Sequence, residues 1–98
     1  MRSGLETRLA ALAAAGETLT YGELARELGL RMAELTGALE ALMETDAAAG
    51  KPFRAAVLRQ RLSPDALPAP GFFQKAAELG AEIGDPVAFT ADQRQRLR

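Results

Sequence analysis

The chain has 98 residues, with 12 Lys and Arg against 13 Asp and Glu, no cysteine, no histidine, and 48% hydrophobic residues drawn mostly from Leu and Ala. One domain with one core is expected over 1–98, and the missing residue types exclude a disulfide framework, a thiolate nucleophile, a Cys-based zinc site and a histidine general base. No apolar run approaches the roughly 20 residues of a membrane span.

Met1 to Gly4 lead into an amphipathic helix rather than a secretory leader, so no membrane partner and a cytoplasmic location are expected. Charge is uneven along the chain. Residues 1–49 hold four basic residues against eight acidic ones, and residues 50–98 hold eight basic against five acidic, so a polyanion would prefer the second half.

Ser3 and Glu6 have capping-box spacing, and Leu5, Leu9 and Leu12 recur at helical spacing until Gly16, which predicts a first helix. Glu17-Thr18-Leu19 is long enough only for a bridge-like strand. Thr20 then stands as an N-cap with Glu23 at N3, Leu19 and Leu24 form a hydrophobic staple, and Gly29 stops the helix that runs from about Tyr21 to Leu28. After the turn, Met32, Leu35, Leu39, Leu42 and Met43 mark one face of a third helix that ends before Gly50. Residues of about 20–49 therefore read as a helix-turn-helix.

The opposite face of the third helix carries Ala33, Glu34, Gly37, Glu40, Ala41, Glu44 and Ala48. It lacks the Arg, Lys, Asn and Gln that make bidentate contacts to purine edges, and only Arg31 stands at its entrance. Gly37 costs about 1 kcal/mol relative to Ala within a helix. Either a close backbone approach, to a partner or to one of the first two helices, or simple tolerance accounts for it.

Phe53 to Gln60 has the β-branched and aromatic content of a strand and follows Pro52, which predicts the first strand of a wing over about 51–70. Arg61 to Gly71 is dense in turn signals and holds a short return strand near Ala66-Leu67. C-terminal helices are expected over about 71–98. The first runs from Gly71 to Gly80 with Phe72, Phe73, Ala76, Ala77 and Leu79 buried; Asp85-Pro86 gives a start signal, and Thr90-x-x-Gln93 gives a second one for a terminal helix through Leu97. The fold class expected is mainly α with a small β element, a winged helix-turn-helix.

Thr20-Tyr21-Gly22-Glu23-Leu24-Ala25, followed by Leu28-Gly29 and Gly37-Ala38-Leu39, resembles the helix-turn-helix of the alkylguanine-DNA alkyltransferases and their inactive alkyltransferase-like relatives. The match covers about twenty residues, most of them capping chemistry. In that family the tyrosine helps rotate a nucleotide out of the duplex, an arginine three residues before the later glycine replaces it, and a P-C-H-R box supplies the nucleophile. Tyr21 matches the first position. Glu34 stands at the second, the segment from Gly29 to Gly37 is one residue shorter, and the box is absent. The resemblance thus implies a winged-helix scaffold without alkyl transfer, and base flipping is not expected. Pro52-Phe53-Arg54-Ala55-Ala56-Val57-Leu58 with Leu67-Pro68-Ala69-Pro70-Gly71-Phe72-Phe73 resembles a group of small uncharacterised bacterial proteins with a P-G-x-G-F-F turn, here with Ala69 for the first glycine. That group implies no function.

The chain admits three functional readings. A non-enzymatic module that binds duplex DNA, or regulates through it, would use Tyr21, Arg31, Lys51, Arg54, Arg59 and Arg61, most of them against phosphates, which position a protein without specifying sequence. An isoelectric point near 5.4 weighs against it. A protein-interaction adaptor on the same scaffold would use the face of the third helix at Gly37, Glu40, Ala41 and Glu44, or the C-terminal segment. A hydrolase or nuclease built on Glu40, Glu44 and Asp46 ranks last, because carboxylates at helical spacing usually form a solvated face. No cofactor or metal is called for.

Overall fold

The computed structural model describes the backbone of residues 2–98 and the side chains of residues 4–98. Among these, five α-helices and one two-stranded sheet succeed one another: α1 (Arg2–Ala15), β1 (Leu19–Thr20), α2 (Tyr21–Leu28), α3 (Met32–Ala48), a 3₁₀ turn (Arg54–Val57), β2 (Leu58–Arg59), α4 (Pro70–Glu78) and α5 (Pro86–Leu97). The chain is mainly helical with a small β element. The expected cap at Ser3 involves a side chain outside those described.

The helix ends follow local chemistry. Leu5, Leu9 and Leu12 of α1 are buried, and Gly16 ends that helix at φ 69° while the Glu17 N–H reaches back to the Leu12 carbonyl at 3.0 Å. At the start of α2 the Thr20 hydroxyl oxygen accepts from the Glu23 N–H at 3.2 Å, and Glu23 Oε1 accepts from the Thr20 N–H at 3.0 Å, closing the capping box. Gly29 ends α2 at φ 67°, with the Leu30 N–H on the Ala25 carbonyl at 2.9 Å. Glu34 then caps α3 by accepting from the Arg31 N–H at 2.8 Å.

The buried stripe of α3 is Leu35, Leu39, Leu42, Met43 and Asp46. Met32, expected in that stripe, is 49% exposed and stands at the first position of the helix, ahead of the buried stripe that begins at Leu35. Asp46 takes a core position instead, which an apolar pattern does not reveal.

The segment after α3 departs most from expectation. Phe53 to Gln60 is not one strand: residues 54–57 coil into the 3₁₀ turn, with Ala55, Ala56 and Val57 buried and packed against α1, α3 and α5. Side chains capture the backbone groups that a strand ladder would have used. Gln93 Oε1 accepts from the Phe53 N–H at 2.7 Å, Asp46 Oδ2 from the Arg54 N–H at 2.9 Å, and Arg94 donates to the carbonyls of Ala56 and Leu58 at 2.6 and 3.3 Å. Only Leu58–Arg59 remains extended, and it pairs in parallel with β1, Leu19 opposite Leu58 and Thr20 opposite Arg59.

The expected return strand near Ala66-Leu67 does not form. One backbone bond, from the Gln60 N–H to the Leu67 carbonyl at 2.8 Å, joins the two arms of the loop over 60–69, and Ala66 adopts φ 53°. Phe72 of α4 is buried and meets Phe53 and Phe73 edge-on at centroid distances of 6.1 and 5.2 Å, with Phe89 of α5 tilted against it. Ala77, expected inside, is exposed. α5 is one helix from its Asp85 cap onward, so Thr90 and Gln93 are buried mid-helix polar residues rather than a second start.

Candidate functional site

The parallel pairing of β1 with β2 brings residues some forty positions apart into one cleft of about 590 Å³ at the start of α2. It is lined by Thr20, Tyr21, Gly22, Glu23, Arg26, Arg59 and Arg61. β1 feeds directly into the capped first turn of α2, which fixes Tyr21 and Gly22; Arg26 follows one turn later; β2 delivers Arg59 opposite Thr20, and Arg61 lies two residues on.

Charge in the cleft is predominantly positive. Arg59 donates from Nε to the Thr18 hydroxyl oxygen at 3.2 Å, and Arg26 and Arg61 are exposed with no carboxylate partner among the described residues. Glu23 is the one acid in the lining, and its Oε1 is already engaged by the Thr20 N–H and hydroxyl. Those bonds, the backbone one foremost, hold its carboxyl below the usual glutamate range, and the charges of Arg59 and Arg26 add to the effect.

Tyr21 points its phenol inward. Its oxygen accepts from the Ala69 N–H at 3.0 Å, tying the loop before α4 to the start of α2, and burial pushes the phenol above its ordinary pKa. Tyr21 and Arg61 also line a second, more apolar cleft of about 430 Å³ between α3 and the loop leading into α4.

The other predicted residues lie elsewhere. Arg54 is occupied within the fold: its guanidinium bonds Asp46 Oδ1 at 2.9 and 3.0 Å and Glu6 Oε1 at 3.1 Å, and Asp46 foremost raises its pKa. As a phosphate contact it is therefore displaced by two carboxylates. Lys51 is exposed near Arg54 and Arg96 at the far end of α3, and Arg31 stands exposed at the start of α3 apart from both groups. Of the six, the structure brings together Tyr21, Arg59 and Arg61.

Two features of the α3 face were not visible in sequence. Glu34 is folded back on its own helix start, and Glu44 bonds Lys75 of α4 at 2.7 Å, a contact that raises the lysine's pKa with help from Glu40 and Glu78. A Cβ at Gly37 would meet nothing within 4 Å, so no approach of α1 or α2 calls for that glycine. The carboxylates Glu40, Glu44 and Asp46 do not converge, since Asp46 turns into the core and Glu44 toward α4. Among the described residues no group of three or more His, Cys, Asp and Glu is placed to hold a metal.

Arg94 is the residue that sequence reasoning missed. It is half-buried behind the cleft and donates to three main-chain carbonyls, those of Ala56, Leu58 and Ala66, with no carboxylate partner among the described residues. Burial foremost lowers its pKa from the ordinary arginine value, with Tyr21 opposing that shift and the charge of Arg59 adding to it. A signal existed: Phe89, Thr90, Gln93 and Leu97 share one helical stripe that turns inward, and Arg94 borders it.

Compared with protein-family models, with curated proteins and with solved structures, the chain matches none. A functional reading therefore rests on the geometry of the clefts and on the charges that line them.

Proposed function

We propose that the protein is a winged-helix-type module that binds duplex DNA through its phosphates at the cleft beside α2. The observation that carries this reading is the convergence of Arg26, Arg59 and Arg61 around one engaged carboxylate, Glu23, with the half-buried charge of Arg94 behind them. Field lines from such a cluster favour a polyanion even in a chain of net charge −1. In this reading α2 and α3 act as a helix-turn-helix and the loop over 60–69 takes the place of a wing. The α3 face carries no bidentate base readers, so binding is to shape and backbone rather than to sequence.

Fluorescence anisotropy on a random duplex tests this. Log affinity should fall linearly with log salt, by about 0.9 for each phosphate neutralised. Arg59→Glu with Arg61→Glu should weaken binding to all sequences alike and flatten that slope. Lys51→Glu should have little effect. A folded, monodisperse protein with no detectable binding at low salt would refute the reading.

The open space above Gly37 favours one alternative, an adaptor that receives a protein partner on the α3 face at Gly37, Glu40, Ala41 and Glu44. Glu40→Lys with Glu44→Lys separates the two: it should strengthen nonspecific DNA binding if α3 lies toward the duplex, and abolish partner binding if the protein is an adaptor.

A further inference from the structure

We propose that a second copy of this chain docks in the cleft between α3 and the loop over 60–72, with Leu62 of each copy seated in the cleft of the other and Arg61 of each facing Glu40 of the other.

The socket is the cleft of about 430 Å³, whose apolar lining comes from Met32, Leu39, Met43 and Phe72. Leu39, Met43 and Phe72 are core residues that line its floor, and Met32 is 49% exposed beside them. The plug is Leu62. At 82% it is the most exposed of the large apolar side chains among the described residues, and it adjoins Arg61, which itself lines the socket. Plug and socket are thus neighbours on one surface, the arrangement that a two-fold axis beside the rim converts into a reciprocal pair.

Charge complementarity selects a second copy over other occupants. The lining holds one cation, Arg61, and one anion, Glu40, and neither makes a direct ion pair within the chain among the described residues, Lys75 acting on Glu40 only from a distance. A strongly acidic or basic partner would satisfy one and repel the other. A copy rotated by 180° about an axis near the rim presents Arg61 to Glu40 and Glu40 to Arg61, satisfying both pairs by the same contact. Leu62 projects from a turn, so it is free to enter. The net charge of −1 adds almost no long-range repulsion between copies. Arg61 belongs to both clefts, whereas Leu62 and Glu40 lie outside the DNA-binding cleft and Arg26 and Arg59 outside this one, so Leu62→Asp and Arg59→Glu separate self-association from DNA binding.

Sedimentation equilibrium of the full chain tests it over roughly 1 µM to 1 mM, since dimer occupancy follows protomer concentration. A monomer–dimer equilibrium is expected. Leu62→Asp should leave the circular dichroism spectrum and melting unchanged while making the protein monomeric throughout. Arg61→Glu and Glu40→Arg should each raise the dissociation constant by about tenfold or more, and the two together should restore it, because the pair is then reversed and re-formed. A wild-type protein that stays monomeric at the highest concentration would overturn the proposal and leave the cleft to another kind of partner. A dimer that survives Leu62→Asp, or a charge-reversed double variant no better than the singles, would overturn it as well.

Discussion

Arg94 donates a 2.6 Å hydrogen bond to the carbonyl of Ala66, and Ala66 is a non-glycine residue in the left-handed region at φ 53°. The bond holds the loop over 60–69 against α5 in a backbone conformation that alanine disfavours. The same guanidinium binds the Ala56 and Leu58 carbonyls, so one side chain fixes three separate points of the segment that carries Arg59 and Arg61.

Removing that clamp should be costly. Arg94→Met is expected to destabilise the fold by about 2–4 kcal/mol, because the three carbonyls lose charged donors. Ala66→Gly should act in the opposite sense, gaining up to about 1 kcal/mol by relieving the left-handed strain. Urea denaturation midpoints measure both. An unchanged midpoint for Arg94→Met would mean that water replaces the guanidinium at no cost.

The capping box at α2 can be tested by composition and by pH. Thr20→Ala should cost about 0.5–2 kcal/mol. The carboxyl of Glu23 titrates below its ordinary value in the folded chain, so its contribution is present above the unfolded pKa and is lost as the pH falls through the lower folded value. Stability measured from neutral to acid pH should therefore decline more steeply in the wild type than in Glu23→Gln.

Asp46 is buried in the core with its charge answered by Arg54, whose side chain is 28% exposed. Asp46→Ala should cost about 2–4 kcal/mol, somewhat below a fully enclosed pair, because water can reach the abandoned guanidinium. Asp46→Asn should cost less, since its amide oxygen still accepts from the Arg54 N–H. Thermal melts of both variants beside Arg54→Met rank the contributions.

Thr90 offers the reverse case. Its hydroxyl is buried with no partner among the described residues, so Thr90→Val, nearly equal in shape, should be neutral or stabilising by up to about 1–2 kcal/mol. A loss of stability on this change would reveal a bound water that the hydroxyl serves.

Gly37 lies mid-helix over open space, and Gly37→Ala should stabilise the monomer by about 0.5–1 kcal/mol. DNA affinity and self-association measured on the same variant should stay at wild-type values, because neither cleft includes Gly37.

What the sequence determined by itself is confined to interactions within a turn or two of helix. Thr20 with Glu23, the left-handed Gly29, the Asp85 cap and the Leu5, Leu9, Leu12 stripe were all legible, because the partners of each group lie within a few residues, where spacing alone decides who meets whom. The burial of Phe72 was legible too, since a large ring in a chain with few aromatics has little else to do.

Tertiary structure decided the rest. Phe53 to Gln60 has strand composition, but its ladder bonds are taken by Gln93 and Arg94, 36 to 40 residues away, and by Asp46. Arg54 reads as a free wing cation until Glu6, 48 residues earlier, closes on it. Arg59 and Arg61 become one site with Tyr21 only because β1 and β2 pair in parallel. A hydrogen-bonding group accepts whichever partner the packing delivers. Local spacing can rank the near partners, but only the closed core determines which distant carbonyl or carboxylate arrives within about 3 Å.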